Sequence, residues 1–118
     1  MEEKIQKNFD LLQQVRQDGL YDLLIGQMQK DFDRANITVT FSSAFSPEQL
    51  FASLHENIYR LIMERFSDYL NVLYVVDVPE RSFREIPLTD AVEVAAEVSF
   101  LILQREWQKV LSKQKYNP

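Results

Sequence analysis

Apolar residues recur at helical spacing through most of the chain. Near the N-terminus this pattern predicts two helices, 2–17 and 20–36, separated by Gly19, a residue type common at helix ends. A third helix begins at Ser46, because Ser46 and Gln49 have the spacing of a capping box and an apolar stripe follows them.

The last predicted helix runs from Asp90 to about Lys113. Between residues 91 and 103 it is apolar around most of its circumference, so it is either central in its own fold or part of an interface between subunits. At roughly 1.5 Å per residue it spans about 36 Å, which is long for so small a domain. We therefore expect part of this helix to pack on a partner, most simply a second copy of the chain.

Two shorter segments indicate strands. Residues 37–42 alternate strictly between apolar and polar side chains, which is the clearest strand pattern in the chain. Residues 71–78 are rich in Val and favour a second strand that pairs with the first. Some of their apolar residues also fit helical spacing, so a helix that ends before Pro79 is the alternative.

These elements predict a predominantly α fold of the α+β class. It has three to four helices, a long apolar C-terminal helix and a small two-stranded sheet from residues 37–42 and 71–78, with an all-α bundle as the alternative. The chain has two glycines, four prolines and no repeat or low-complexity tract. Residues 1–118 therefore form one compact domain.

Composition narrows the class of protein. Apolar residues make up 46% of the 118 residues, as in a globular domain, and the absence of cysteine excludes disulfides and thiolate chemistry. A net charge of -5 argues against nucleic-acid binding, and we find no apolar run long enough to span a membrane. The N-terminus lacks the pattern of a signal peptide, which indicates a cytoplasmic protein.

Candidate catalytic residues are few. Asp77 and Glu80 lie three residues apart at the end of an apolar run, where carboxylates can bind a cation or act as general acid and base. His55 is the only histidine, which excludes a multi-histidine metal site. We favour structural roles for these residues: hydrogen bonds at a turn and local ion pairs for the acids, and aromatic packing for His55. We therefore predict no metal and no cofactor.

Four residues suggest a binding surface. Phe83 lies between Arg81 and Arg84, a combination that can contact an anionic or peptide partner, and Trp107 is of a type enriched at interfaces. The same residues are also typical of a loop anchored to the core and of a half-buried helix position.

The sequence favours a small interaction or scaffolding module that self-associates, with no recognisable catalytic chemistry. One alternative is a carboxylate- or metal-dependent enzyme that uses Asp77 and Glu80, with His55 nearby. Another is a small-ligand binder with an apolar cavity between helices. We favour the non-enzymatic interpretation, because the chain has no P-loop, nucleophile elbow or dinucleotide fingerprint.

Overall fold

A computed structural model describes residues 2–87 and 89–116, with the backbone alone at residue 116. The regular secondary structure of this part of the chain is entirely helical and includes no β-strand. Its elements in chain order are α1 (Glu2–Gln17), α2 (Tyr21–Arg34), α3 (Pro47–Glu64), α4 (Phe66–Val76), α5 (Glu80–Phe83) and α6 (Ala91–Tyr116). The all-α alternative is therefore confirmed for the described residues, and the two-stranded sheet is not present in them.

Helix α6 is the centre of the fold. It contacts α1, α2, α3 and α4, and the apolar residues that clothe its first half are largely buried against them. Val94, Ala95, Val98, Ile102 and Leu103 are at most 3% exposed. The structure shows that this helix is apolar because it lies at the centre of its own chain. These buried side chains are not free to form an interface between subunits.

Residues 37–42 are extended but form no β-ladder. Their alternation is real, since Ile37 and Phe41 are buried in the core while Thr38 and Thr40 are exposed. Instead of a neighbouring strand, the side-chain amide of Gln29 in α2 satisfies the backbone. It donates to the carbonyl of residue 39 at 2.8 Å and accepts from the amide of residue 41 at 2.8 Å. One side chain thus replaces a strand partner, and the predicted pairing with residues 71–78 is wrong.

Residues 71–76 of the predicted second strand instead form the second half of helix α4. Val72, Leu73 and Val76 are buried at helical spacing, and α4 packs against α2, α3 and α6. The helix ends at Asp77, which takes the left-handed conformation with φ 71°, a geometry that short polar side chains tolerate. Burial along one side of a helix thus overrides the β-propensity of the valines.

Local end signals in the sequence are confirmed. Gly19 has φ +73°. Ser46 forms the predicted capping box: its side chain accepts from the backbone amide of Gln49, and its own backbone amide donates to the side-chain oxygen of Gln49. Asp90 caps the start of α6 by accepting from the amides of residues 92 and 93. Within the described ranges, no helix is both long and apolar enough to cross a membrane.

Candidate functional site

Asp77 is an exposed helix-capping residue rather than a buried acid. Its carboxylate accepts from Arg105 of α6 at 3.0 Å, and Arg105 also donates to the backbone carbonyl of Asp77 at 3.0 Å. The Asp77 side chain is 74% exposed. The structure therefore gives this residue the role of joining the end of α4 to α6.

His55 and Asp77 lie far apart. The ring of His55 stacks on Phe51 with centroids 5.3 Å apart, and its Nε2 donates to the carbonyl of Val92 at 2.9 Å. Asp77 meets the same helix at Arg105, and Val92 to Arg105 corresponds to about 20 Å at roughly 1.5 Å per residue. A site that combines the two side chains is therefore not formed.

Glu80 is an exposed residue at the start of the single-turn helix α5. No group of three or more potential metal-binding side chains occurs in the portion of the chain that the structure describes. Glu80 and Asp77 thus lack a third metal-binding neighbour among these residues.

The four candidate binding residues do not form one surface. Phe83 and Trp107 are partly buried and pack against the hydrophobic core, whereas Arg81 and Arg84 are exposed on α5 and just after it. The interpretation of Phe83 as the anchor of a connecting segment therefore fits its position.

Two acids that the sequence motifs do not single out meet inside the protein between α2 and α6. Asp31 of α2 and Glu106 of α6 are 1% and 0% exposed. Lys109 lies one turn beyond Glu106 and places its Nζ 2.7 Å from the Asp31 carboxylate and 3.6 Å from the Glu106 carboxyl group. The amide of Gln27 also donates to Asp31, at 3.3 Å. This buried acid pair is the most unusual electrostatic feature among the described residues.

One proton shared by the pair explains its geometry. Within hydrogen-bond distance, no donor among the described residues reaches either carboxyl oxygen of Glu106. Burial, together with the hydrogen bond to Asp31 and its negative charge, raises the pKa of Glu106 from 4.5 to about 9. Glu106 is therefore a neutral acid at pH 7 and donates its proton toward Asp31.

Asp31 is the ionised member of the pair. Burial alone raises its pKa, but hydrogen bonds from Glu106, Lys109 and Gln27 and the positive charge of Lys109 outweigh this effect, so its pKa lies below its ordinary value. The buried carboxylate and the ammonium of Lys109 thus neutralise each other, while Glu106 adds no charge.

Helical spacing contains a signal for both acids. Glu106 continues the buried stripe of α6, three residues after Leu103 and four before Val110, and Asp31 lies three residues after the buried Met28. An acid on the buried side of an amphipathic helix indicates a partnered or protonated carboxyl group. Which two acids meet depends on how α2 and α6 pack.

A second feature is an exposed apolar surface on α4. Phe66, Leu70 and Tyr74 follow one another at four-residue spacing and are 44%, 44% and 83% exposed. Tyr59 and Met63, also exposed, lie toward the end of α3, which contacts α4. We call Phe66, Leu70 and Tyr74 the α4 face. Five of the exposed large apolar side chains in the described residues thus fall within 59–74, against three elsewhere.

Comparison with known proteins gives no functional information. No protein-family model matches the chain, and neither a curated protein nor a solved structure shows significant similarity to it. Its function is therefore inferred from its own geometry.

Proposed function

We propose that this protein is a self-associating interaction module in which the α4 faces of two copies pack against each other. The observation that carries the proposal is the exposure of Phe66, Leu70 and Tyr74 along one side of α4. Clustered exposed apolar side chains at helical spacing are typical of a surface that another molecule covers.

The charges of α4 favour a second copy as the partner. Asp68 is the only charged residue between Phe66 and Val76, and it is already paired with Arg65 at 2.6 Å. Few charges and several aromatic rings are typical of the centre of a homodimer interface.

An antiparallel arrangement of two α4 helices is compatible with a two-fold axis across the middle of α4. The same axis opposes the two helix dipoles favourably.

Light scattering coupled to size-exclusion chromatography tests the proposal. From micromolar to millimolar concentration, the wild-type mass should rise from 14.0 kDa toward about 28 kDa, that of a two-fold dimer. Leu70→Glu places a charge in the centre of each α4 face and should keep the protein monomeric. Leu111→Glu is the matched control, because Leu111 of α6 is 43% exposed, nearly the same as Leu70.

Each outcome decides between the alternatives. A wild-type monomer at millimolar concentration excludes self-association. If Leu70→Glu and Leu111→Glu weaken the dimer equally, the interface is not the α4 face. Circular dichroism of both variants should match the wild type, since both positions are on the surface and a charge there leaves the core intact.

A further inference from the structure

Two neighbouring clefts lie between α2 and α6, on the surface above the buried acid pair. The first has a volume of about 240 Å³, and its apolar lining is Leu23, Gly26 and Val110. The second, of about 340 Å³, is basic and is lined by Lys30, Arg34, Arg105, Lys109 and Lys113. Because Gln27, Lys30 and Lys113 line both, the clefts are continuous. We call the combined surface the α2–α6 cleft.

The basic half concentrates positive charge in an acidic protein. The chain carries a net charge of -5, yet five cations line this half and Asp31 is the only acid among its lining residues. Lys109 pairs with Asp31. Arg105 pairs with Asp77, which lies outside the lining. Three positive charges therefore remain without a carboxylate in the described residues.

Those three cations are available to a ligand. Lys30 and Arg34 form no ion pair within the described parts of the chain, and Lys113 donates only to the neutral amide of Gln27, at 2.5 Å. Lys30 and Arg34 are also exposed and lie one turn apart on α2. Because Glu106 below them is neutral, it does not reduce the positive potential of the cleft.

Gly26 supplies an independent observation in the apolar half. A glycine inside a helix costs about 1 kcal/mol relative to alanine, so a structural reason is expected. The fold offers none: a Cβ at Gly26 meets nothing within 4 Å, and its φ is not positive. The missing side chain instead leaves open space over Leu23 and Val110, which line the same cleft.

We propose that the α2–α6 cleft binds a small phosphate monoester, with its phosphate between Lys30, Arg34 and Lys113 and its apolar portion over Gly26. A monocarboxylate needs only one cation, whereas a phosphate dianion uses several, and arginine matches its geometry with paired N–H groups. The volumes of the two halves suit a small ligand rather than a protein segment.

Isothermal titration calorimetry with phenyl phosphate and inorganic phosphate tests the two halves separately. Phenyl phosphate should bind more tightly, because only its ring reaches the apolar half. The double variant Lys30→Ala, Arg34→Ala should weaken both ligands by about tenfold or more. Gly26→Leu fills the apolar half and should remove the advantage of phenyl phosphate while inorganic phosphate still binds.

The matched control removes two positive charges elsewhere. Arg81→Ala, Arg84→Ala changes the net charge equally at exposed positions outside the cleft and should leave binding unchanged. In two-dimensional NMR spectra, the amide signals that move on titration should lie in residues 22–34 and 105–114. Comparing AMP with butyl phosphate then distinguishes a nucleotide from an alkyl phosphate as the natural form of this chemistry.

The proposal is overturned if phenyl phosphate gives no saturable binding at low ionic strength. It is also overturned if the two double variants weaken binding equally, since the effect is then one of net charge alone. These results are independent of self-association through the α4 face, because the two surfaces share no residue.

Discussion

Replacement of Glu106 by glutamine should stabilise the protein at neutral pH. In the folded protein Glu106 is fully buried, with its pKa raised from 4.5 to about 9 by burial and by the charge and hydrogen bond of Asp31. Between these two values the folded state holds one proton more than the unfolded state. The free energy of unfolding therefore falls as pH rises, by up to about 1.4 kcal/mol per pH unit.

The size of the effect follows from the pH interval. At pH 7 the solution is about 2.5 units above the pKa of unfolded Glu106, so keeping the buried acid protonated costs roughly 3 kcal/mol. Glu106→Gln removes this cost, because the amide can still donate to Asp31 and does not ionise. A gain of about 3 kcal/mol is large beside the 5–15 kcal/mol of a typical domain.

Urea denaturation at half-unit steps from pH 5 to pH 9 measures this directly. The free energy of unfolding of the wild type should fall across this range, whereas that of Glu106→Gln should change little with pH. The variant should exceed the wild type by most at pH 8 to 9. Asp31, whose pKa is lowered, contributes stability that is present above its ordinary pKa and lost as pH falls. Asp31 therefore does not contribute to the change in stability above pH 7.

Glu85→Gln, at an exposed position, is the control and should follow the wild-type profile. Parallel profiles for wild type and Glu106→Gln, or a less stable Glu106→Gln at pH 8, would refute the shared-proton interpretation. A carbon-13 NMR titration of the Glu106 carboxyl group offers a second measurement that does not depend on unfolding.

Two pairs of substitutions test local features by thermal and urea denaturation. Gly26→Ala should stabilise the protein by about 1 kcal/mol, since the helix gains a better residue and the added Cβ meets nothing; Gly19→Ala should destabilise it, because φ there is +73°. Gln29→Leu should cost about 1–2 kcal/mol by leaving one carbonyl and one amide of segment 37–42 unpaired, whereas Gln13→Leu on the exposed side of α1 should change little.

Residues 70–78 show the limit of local pattern. The segment contains both β-branched residues and apolar residues at helical spacing, so short-range preference does not decide between strand and helix. In the structure, α4 buries Val72, Leu73 and Val76 against three other helices, and that burial favours the helix. Because α4 is a helix, segment 37–42 has no neighbouring strand, and the side chain of Gln29 hydrogen-bonds its backbone instead.

The functional candidates divide in the same way. In the sequence, Asp77 interrupts an apolar run and Glu80 follows it, which makes both residues candidate catalytic acids. In the structure, both side chains are exposed. Glu106 lies among polar neighbours along the chain, and only its helical register places it on the buried stripe. Glu106 meets Asp31 because α2 packs antiparallel against α6. The spacing of residues within a single helix does not predict that packing.

By itself, the sequence determined the end of α1, the starts of α3 and α6, the alternation of residues 37–42 and the apolar character of α6. These depend on interactions within a few residues: capping hydrogen bonds, the conformational freedom of Gly19, and side-chain periodicity. Only the tertiary structure decided that α4 is a helix, that α6 is buried within its own chain, and that Asp31 and Glu106 meet in its interior. Those outcomes depend on contacts between residues distant in the chain, whose burial free energy exceeds the small differences in local preference.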